Sequence, residues 1–262
     1  MLPIAITVST NYIDLLPIAY EVNHSYFDEW IFVTAENDID TLNFLRNKNN
    51  VTVLIWDFKK NGADFDKGGA LRFAQNYAYE RYQNHWYLIL DSDICLSSGF
   101  FHTLSNLEKL DPDVLYGSFF RHEYQKTSDF LGQTNYHLYD RMGFPDGFFQ
   151  LYKKKEFYAP SNDAAVCDVV FANTFKEKKL FTNFISNHLG WQGSLRNHKG
   201  RVIGVDFLAD IAYSECAKCV PHENYMGDIE GHIVGEHVKL SRNTACICGS
   251  GAKYKNCHGV LS

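Results

Sequence analysis

Short hydrophobic runs alternate with amphipathic stretches along the first 90 residues. The runs are rich in β-branched and aromatic residues and predict four strands, over residues 4–9, 29–34, 51–56 and 85–90. Between the strands, apolar residues recur at helical spacing and predict helices over 14–23, 38–47 and 68–83. Strands that alternate with helices are typical of a parallel α/β sheet. The fully apolar run Val53-Leu54-Ile55-Trp56 agrees, since the strands of such sheets are covered on both faces.

The pattern is less regular after residue 110. It predicts short strands over 115–120 and 147–152, a helix over 164–178 and a loop over 186–201. Residues 213–240 show no clear periodicity, and the composition changes again at 241. We therefore predict three parts, which are an α/β domain over 1–210, a linker or extension over 211–240 and a small module over 241–262.

Composition and charge narrow the class of protein. Of the 262 residues, 45% are hydrophobic and 21% are charged, which is typical of a globular chain. The net charge of −6 excludes a basic coat for nucleic acid over the whole surface, although a local basic groove stays open. Seven cysteines, an odd number, argue against a secreted disulfide framework and predict a reducing, cytoplasmic setting. The sequence shows no signal-peptide pattern and no apolar window of about 18 residues, so no membrane span is expected.

A pair of carboxylates directly follows the fourth predicted strand, in Asp91-Ser92-Asp93. In an extended chain, side chains two residues apart point to the same side, and ligands of parallel sheets bind beyond the carboxyl ends of the strands. Two carboxylates suit Mg²⁺ or Mn²⁺, which complete their coordination with substrate phosphate oxygens. The alternative is a capped turn, because Asp and Ser often follow strands.

Asp91-Ser92-Asp93 after this apolar strand resembles the DxD motif of the GT-A glycosyltransferases. Further segments resemble parts of that family in the same order, at 4–10, 32–38, 66–72, 148–151 and 188–190. The resemblance covers about residues 3–205 and implies a GT-A-like, Rossmann-like α/β fold, with a mostly parallel central sheet flanked by helices. It also implies metal-dependent transfer of a sugar from a nucleotide-sugar, with a UDP-sugar favoured, to a hydroxyl acceptor.

The same resemblance assigns residues to a donor site and a metal site. The residues implied to contact the donor are Ser9, Thr10, Glu36, Asp38, Lys67, Arg72, Asp91 and Ser92. The residues implied to hold Mn²⁺ or Mg²⁺ are Asp91, Asp93 and His188. For His188, the alternative is a solvated or bridging residue in a polar loop. A local basic cluster of Arg196, His198, Lys199 and Arg201 is either a clamp for the diphosphate or a solvated loop.

A carboxylate base is expected if the transfer inverts the configuration of the sugar. The candidates are Asp163 and Asp168, and Asp168 is favoured because residues 167–171 resemble the ED-x-x-F pattern of inverting relatives. Cys167 departs from that pattern, since a second acidic residue often stands there. The alternative for either aspartate is a charge that complements the dipole at the start of a helix.

Four potential metal ligands cluster near the end of the sequence, at Cys246, Cys248, Cys257 and His258. Three thiolates and an imidazole suit tetrahedral Zn²⁺, and with no position left for water the site would be structural. A segment of about 20 residues buries no core of its own, so metal binding would supply its folding free energy. Cys216 and Cys219, with His222, are either half of a second metal site or reduced cysteines in a loop.

Residues 242–259 closely resemble the SEC-C motif, whose form is R-N-x-x-C-x-C-G-S-G-x-K-Y-K-x-C-H/C-G. This resemblance implies a module that recruits a protein or nucleic-acid partner. Two other functions stay open, namely an inactive GT-A-like scaffold that binds through the zinc motif and a transferase that acts on modified DNA. A nucleotidyltransferase is disfavoured, because Ser9-Thr10-Asn11-Tyr12 lacks the Gly-rich basic loop such enzymes usually carry. The expected acceptor is a hydroxyl of a glycan, a protein or modified DNA.

Overall fold

A computed structural model describes residues 1–140, 144–190, 199–201 and 233–234. Its strands are β1 (Ile4–Val8), β2 (Glu29–Thr34), β3 (Val51–Ile55), β4 (Tyr87–Leu90), β5 (Ile94–Leu96), β6 (Val114–Tyr124), β7 (His137–Asp140), β8 (Phe149–Tyr152), β9 (Glu177–Leu189) and β10 (Ile233–Val234). Its α-helices are α1 (Leu16–Asn23), α2 (Ile39–Leu45), α3 (Lys67–Arg81), α4 (Phe100–Leu104), α5 (Thr127–Gly132) and α6 (Cys167–Ala172). Within the described residues, none of the helices is long and apolar enough to cross a membrane.

The first four strands build a parallel half of one sheet. β1 pairs in parallel with β2 and β4, and β2 pairs in parallel with β3, which gives the order β3-β2-β1-β4. The strand order therefore reverses between β1 and β4. In Rossmann-like sheets a crevice opens at this point, beyond the carboxyl ends of the strands, and ligands bind there. The strands and helices predicted for this half are confirmed, with ends that differ by one or two residues.

The second half of the sheet is mixed. β8 runs antiparallel to β4 and β6, whereas β6 and β9 run parallel to each other. The short strands β5, β7 and β10 add antiparallel pairs. The carboxyl ends of β1, β4, β6 and β9 and the amino end of β8 consequently lie at the same edge of the sheet.

Two predictions for this second half are wrong. The helix expected over 164–178 is limited to α6, and the loop expected over 186–201 begins as strand because β9 continues to its end at Leu189. The sequence pattern did not predict the full length of β9 because the strand contains polar residues. These side chains are buried and form hydrogen bonds with residues that are distant in the sequence. Asn183 donates to Thr103 Oγ1 at 2.9 Å, and Asn187 donates to the Cys95 carbonyl at 3.1 Å. Buried polar groups need such partners, and the hydrophobic pattern does not reveal them.

The start of α3 is held in place by a capping aspartate. Asp66 Oδ1 accepts a hydrogen bond from the Gly69 amide at 2.8 Å, which satisfies a donor otherwise left open at the helix N-terminus. The absence of a side chain at Gly68 allows the backbone at Ala159 to pass very close, since a Cβ at Gly68 would lie 2.0 Å from the Ala159 carbonyl oxygen. Lys67, the first residue of α3, is thereby fixed in position at the edge where β1 and β4 end.

Large apolar side chains cover both faces of the sheet. Trp30, Phe32 and Phe149 belong to the cluster on one face, and Ile6 and Leu71 belong to the cluster on the other. Full burial of a side chain of this size contributes about 1.5–3 kcal/mol to folding. The sheet is therefore a rigid base for the groups at its edge.

Candidate functional site

The Asp91-Ser92-Asp93 segment lies at the crevice between β1 and β4. The Ser92 hydroxyl donates to the Val8 carbonyl at 3.0 Å and so ties this segment to the end of β1. The Asp91 amide donates to the Phe148 carbonyl at 3.2 Å, which ties it to the chain before β8. Ser92 is buried and bonded to the sheet, while the two carboxylates meet side chains from other elements.

Lys67 forms an ion pair with the first carboxylate of the segment. Its Nζ lies 2.7 Å from Asp91 Oδ1. Burial by itself would lower the pKa of Lys67, but neighbouring acidic groups, with Asp91 the foremost, outweigh it and raise that pKa. The Asp168 carboxylate is close enough to act electrostatically on both groups. The edge thus holds an ammonium paired with Asp91, and the Asp168 carboxylate acts on the same pair.

His188 forms an ion pair with the second carboxylate. β9 pairs with β5 so that His188 lies opposite Ile94, and His188 Nε2 is 3.3 Å from Asp93 Oδ2. Burial would lower the pKa of His188, but Asp93 outweighs it and the pKa rises to about 9. Burial would raise the pKa of Asp93, but the His188 charge holds it below the usual value. The structure brings Asp93 and His188 together, as predicted. His188 lies on β9, so the expectation of a loop around it is wrong.

Two charged residues of this site, Arg121 and Glu123, were not among the residues predicted from the sequence. Glu123 is 1% exposed, and its Oε1 lies 2.5 Å from Arg121 Nη2 and 3.8 Å from His188 Nδ1. Burial would raise the pKa of Glu123, but His188 and Arg121 together lower it. The sequence does contain a sign of this pair. Arg121 and Glu123 are two residues apart and therefore on the same side of a strand that is otherwise rich in aromatic residues, and buried charges there require partners.

The two candidates for a base lie in different surroundings. Asp168, in the first turn of α6, accepts a hydrogen bond at Oδ2 from the Gly147 amide at 2.9 Å, and it acts electrostatically on Lys67. Asp163 accepts a bond from the amide of Ala165 at 2.8 Å, two residues further along its own exposed loop. The structure therefore joins Asp168 to the charged cluster and leaves Asp163 in a local turn.

Hydroxyl groups without a protein partner line the end of β1. Within the described residues, Ser9 Oγ and Thr10 Oγ1 are buried and make no hydrogen bond. The Ser9 amide donates to the Val33 carbonyl at 2.9 Å, so the backbone here is fixed by the sheet. A buried hydroxyl without a partner costs free energy, and a polar ligand in the crevice would remove that cost.

The remaining predicted donor residues are more dispersed. Asp38 Oδ2 accepts bonds from the Asn11 amide at 2.8 Å and from Thr34 Oγ1 at 3.2 Å, so this carboxylate joins the chain that follows β1 to the chain that follows β2. Glu36 is exposed in the loop after β2. Arg72 lies on the exposed side of α3, with its guanidinium 5.6 Å from the centre of the Phe157 ring.

The basic cluster lies partly within the described chain, where its charges are paired. Arg201 Nη2 lies 2.8 Å from Asp14 Oδ2, and Lys199 Nζ lies 2.9 Å from Asp64 Oδ2. Arg201 also contributes to the lowered pKa of Asp93. Arg196, His198 and the nearby Trp191 lie outside the described residues, as do Cys216, Cys219 and His222.

The donor atoms partly fit a hard divalent cation. Across the described residues, no three His, Cys, Asp or Glu side chains converge as a ready-made metal centre. Asp93 Oδ2 and His188 Nε2 are 3.3 Å apart, a separation at which both can bind one ion, whereas Asp91 is paired with Lys67. Mg²⁺ and Mn²⁺ sites often have few protein ligands and take the others from substrate phosphates and water. The chain itself would thus supply two ligands, and a bound substrate would supply others.

Comparison with known proteins identifies the C-terminal segment. A family model described as the SEC-C motif matches residues 242–259. The protein translocase subunit SecA of Chlorobium luteolum is 63% identical over 27 residues, which are 10% of this chain. The chain spans only 3% of the length of that relative. The four predicted zinc ligands, Cys246, Cys248, Cys257 and His258, lie outside the described residues.

Among solved structures, a Bacillus anthracis protein described as a glucose-1-phosphate thymidylyltransferase, in complex with sucrose, is similar in shape. The match covers 58% of this chain and 72% of that chain, with 10% identity and a TM-score of 0.35. A similarity this low establishes neither a common fold nor a common activity.

Proposed function

We propose that this chain is a metal-dependent glycosyltransferase that takes a sugar from a nucleotide-sugar, with a UDP-sugar favoured, and adds it to a hydroxyl acceptor. The observation that carries the proposal is the convergence of Lys67, Asp91, Asp93, Asp168 and His188 at one edge of the sheet. These residues are far apart in sequence, and they meet at the point where α/β sheets bind ligands. The resemblance of Asp91-Ser92-Asp93 to the DxD motif supports the same activity.

The donor half of the site would stabilise a departing diphosphate. A divalent cation bound by Asp93 and His188 would act as a Lewis acid on the diphosphate oxygens. The Lys67 ammonium adds a fixed positive charge, which stabilises negative charge that develops in the transition state. The open hydroxyls of Ser9 and Thr10 are available to the polar parts of the nucleotide.

The acceptor half would provide the base. Asp168 Oδ2 is held by the Gly147 amide, so the second carboxylate oxygen is available to accept the proton of an acceptor hydroxyl. Direct attack by that hydroxyl on the sugar would invert its configuration. The base belongs to α6, whereas Asp91 and Asp93 belong to the segment after β4, so the two halves of the reaction are served by separate elements.

The test is a panel of UDP-, GDP-, CMP- and dTDP-sugars with the full chain, measured for binding and for hydrolysis with Mn²⁺ or Mg²⁺. We expect release of one nucleotide that stops with EDTA, returns with Mn²⁺ and is abolished in Asp93→Ala. The matched control is Asp113→Ala, which removes an exposed carboxylate just before β6, at the opposite edge of the sheet. Failure to bind both metal and nucleotide would contradict the proposal and favour a scaffold.

We also propose that residues 242–259 bind one Zn²⁺ through Cys246, Cys248, Cys257 and His258 and recruit a protein or nucleic-acid partner. The matching SEC-C model supports the motif, and the donor set suits tetrahedral zinc. Because all four positions are occupied by protein ligands, the metal would hold the segment folded and take no part in sugar transfer.

A further inference from the structure

We infer that Glu123 is a positioning residue that orients the His188 imidazole for metal binding, an inference that rests on the proposed metal site. The carboxylate lies behind the ring, on the side away from Asp93. Glu123 Oε1 is 3.8 Å from His188 Nδ1, and His188 Nε2 is 3.3 Å from Asp93 Oδ2. The ring therefore stands between two carboxylates, one of which would bind the metal with it.

The pairing of β6 with β9 places Glu123 there. Ser118 is the register partner of Phe181, but Phe120 is the partner of Ile185, so the ladder slips by two residues on β9. After the slip, Glu123 is the register partner of His188. Irregularities of this kind redirect side chains and are common beside functional sites. An unbroken ladder would have brought Ser186 to this position instead.

The surroundings of Glu123 hold its carboxylate in place. It is 1% exposed, and Arg121 Nη2 lies 2.5 Å from Oε1. His137 Nδ1 lies 3.9 Å from Oε2, on the adjacent strand β7. A buried carboxylate is costly unless it is paired, and Arg121 supplies that pairing from the same strand. Glu123 is thus fixed independently of the metal and can act on His188 as a rigid neighbour.

A carboxylate behind a metal-binding histidine fixes the ring and selects the tautomer. It accepts the N–H of one ring nitrogen and leaves the other nitrogen free for the metal, and loss of such a partner costs about 10–100-fold in metal affinity. In this chain Nδ1 faces Glu123 Oε1 at 3.8 Å, an ion-pair contact longer than a hydrogen bond, and Nε2 faces Asp93. A bound cation on Nε2 would leave the Nδ1 proton directed at the Glu123 carboxylate. Glu123 therefore contributes to Mn²⁺ affinity without being a ligand.

The experiment is a double-mutant cycle on Mn²⁺ affinity in the full chain, without donor or acceptor, read from the EPR signal of free Mn²⁺. The variants are Glu123→Gln, His188→Gln and the two combined. We expect Glu123→Gln to weaken Mn²⁺ binding about 10-fold or more. Because Glu123 acts through His188, the combined variant should bind no more weakly than His188→Gln alone. A merely structural role of Glu123 would not produce this dependence on His188.

The controls separate this inference from the proposed metal site. Asp93→Asn should abolish the binding, and Glu177→Gln, at the exposed start of β9, should leave it unchanged. If Glu123→Gln does not fold, Glu123→Asp keeps the charge beside Arg121, moves it away from His188 and should weaken binding in the same cycle. Unchanged affinity in the Glu123 variant, or losses that multiply in the combined variant, would overturn the role of Glu123. Absence of Mn²⁺ binding in the unaltered chain, both alone and with UDP added to supply phosphate oxygens, would overturn the metal site itself.

Discussion

Each carboxylate of the segment after β4, and the buried carboxylate beside it, is matched with its own cation. Lys67 pairs with Asp91, His188 with Asp93 and Arg121 with Glu123. For Glu123, which is 1% exposed, removal of Arg121 would leave a buried uncompensated charge, which costs about 3–5 kcal/mol. Asp168 differs, because its carboxylate is held by a backbone amide instead of a cation.

We predict different effects for the two aspartates near the start of α6, Asp163 before the helix and Asp168 in its first turn. Asp168→Asn should lower the rate of sugar transfer about 10²–10⁴-fold, since it removes a general base, while donor binding stays intact. Asp163→Asn should leave the rate unchanged, because that side chain closes a local turn and is not joined to the Lys67–Asp91 pair. The measurement is the transfer rate and the donor affinity of both variants. A transfer rate of Asp168→Asn as high as that of Asp163→Asn would contradict the role of Asp168 as the base.

At the scale of elements, the site depends on close approach between α6 and the chain before β8. Gly147 donates its amide to Asp168, and a Cβ at this glycine would lie 2.6 Å from Asp168 Cβ. Such an overlap forces either the helix or the loop to move. The position of Asp168 is therefore set by the absence of a side chain on a different element.

Gly147→Ala should accordingly destabilise the fold by about 1–3 kcal/mol, the usual cost of overpacking, and should slow transfer by displacing Asp168. Urea unfolding and the transfer rate measure the two effects. The matched control is Gly132→Ala, where the nearest atom to an added Cβ is the Thr134 hydroxyl at 3.3 Å. A Gly147→Ala variant as stable and active as the Gly132→Ala variant would show that α6 has room to move.

At the scale of the whole molecule, residues from β1 to β9 meet at one edge of the sheet. β8 enters antiparallel, so its amino end brings Gly147 to the carboxyl ends of β4 and β6. β9 then brings His188 to the same place from almost 100 residues beyond Asp93. The residues that carry this site all precede the SEC-C motif at 242–259, so the site and the proposed zinc module should be separable.

Cys248→Ser should therefore remove one equivalent of zinc per chain and leave metal-dependent donor hydrolysis unchanged. Zinc content by mass spectrometry and hydrolysis with added Mn²⁺ are the measurements. Cys95→Ala is the control, because it removes a buried free thiol from the sheet and should retain the zinc. Loss of hydrolysis together with zinc would contradict the separation of 1–210 from 241–262.

The sequence by itself determined the elements that are governed by local pattern. Continuous apolar runs predicted β1 to β4, and apolar residues at helical spacing predicted α2 and α3. Asp91 and Asp93 could be placed at the edge of the sheet for the same reason, because they follow an apolar strand. The SEC-C motif was also recognisable in the sequence, since its cysteines and histidine lie within a few residues of one another.

Only the tertiary structure decided which distant groups meet. The full length of β9 was not predicted, because the hydrogen-bond partners of its buried asparagines are far away in the sequence. The slip between β6 and β9 selected His188 as the partner of Glu123, and the pairing of Lys67 with Asp91 required the start of α3 to pack at the end of β4. Pairings of this kind depend on strand register and long-range packing, which a local hydrophobic pattern does not encode.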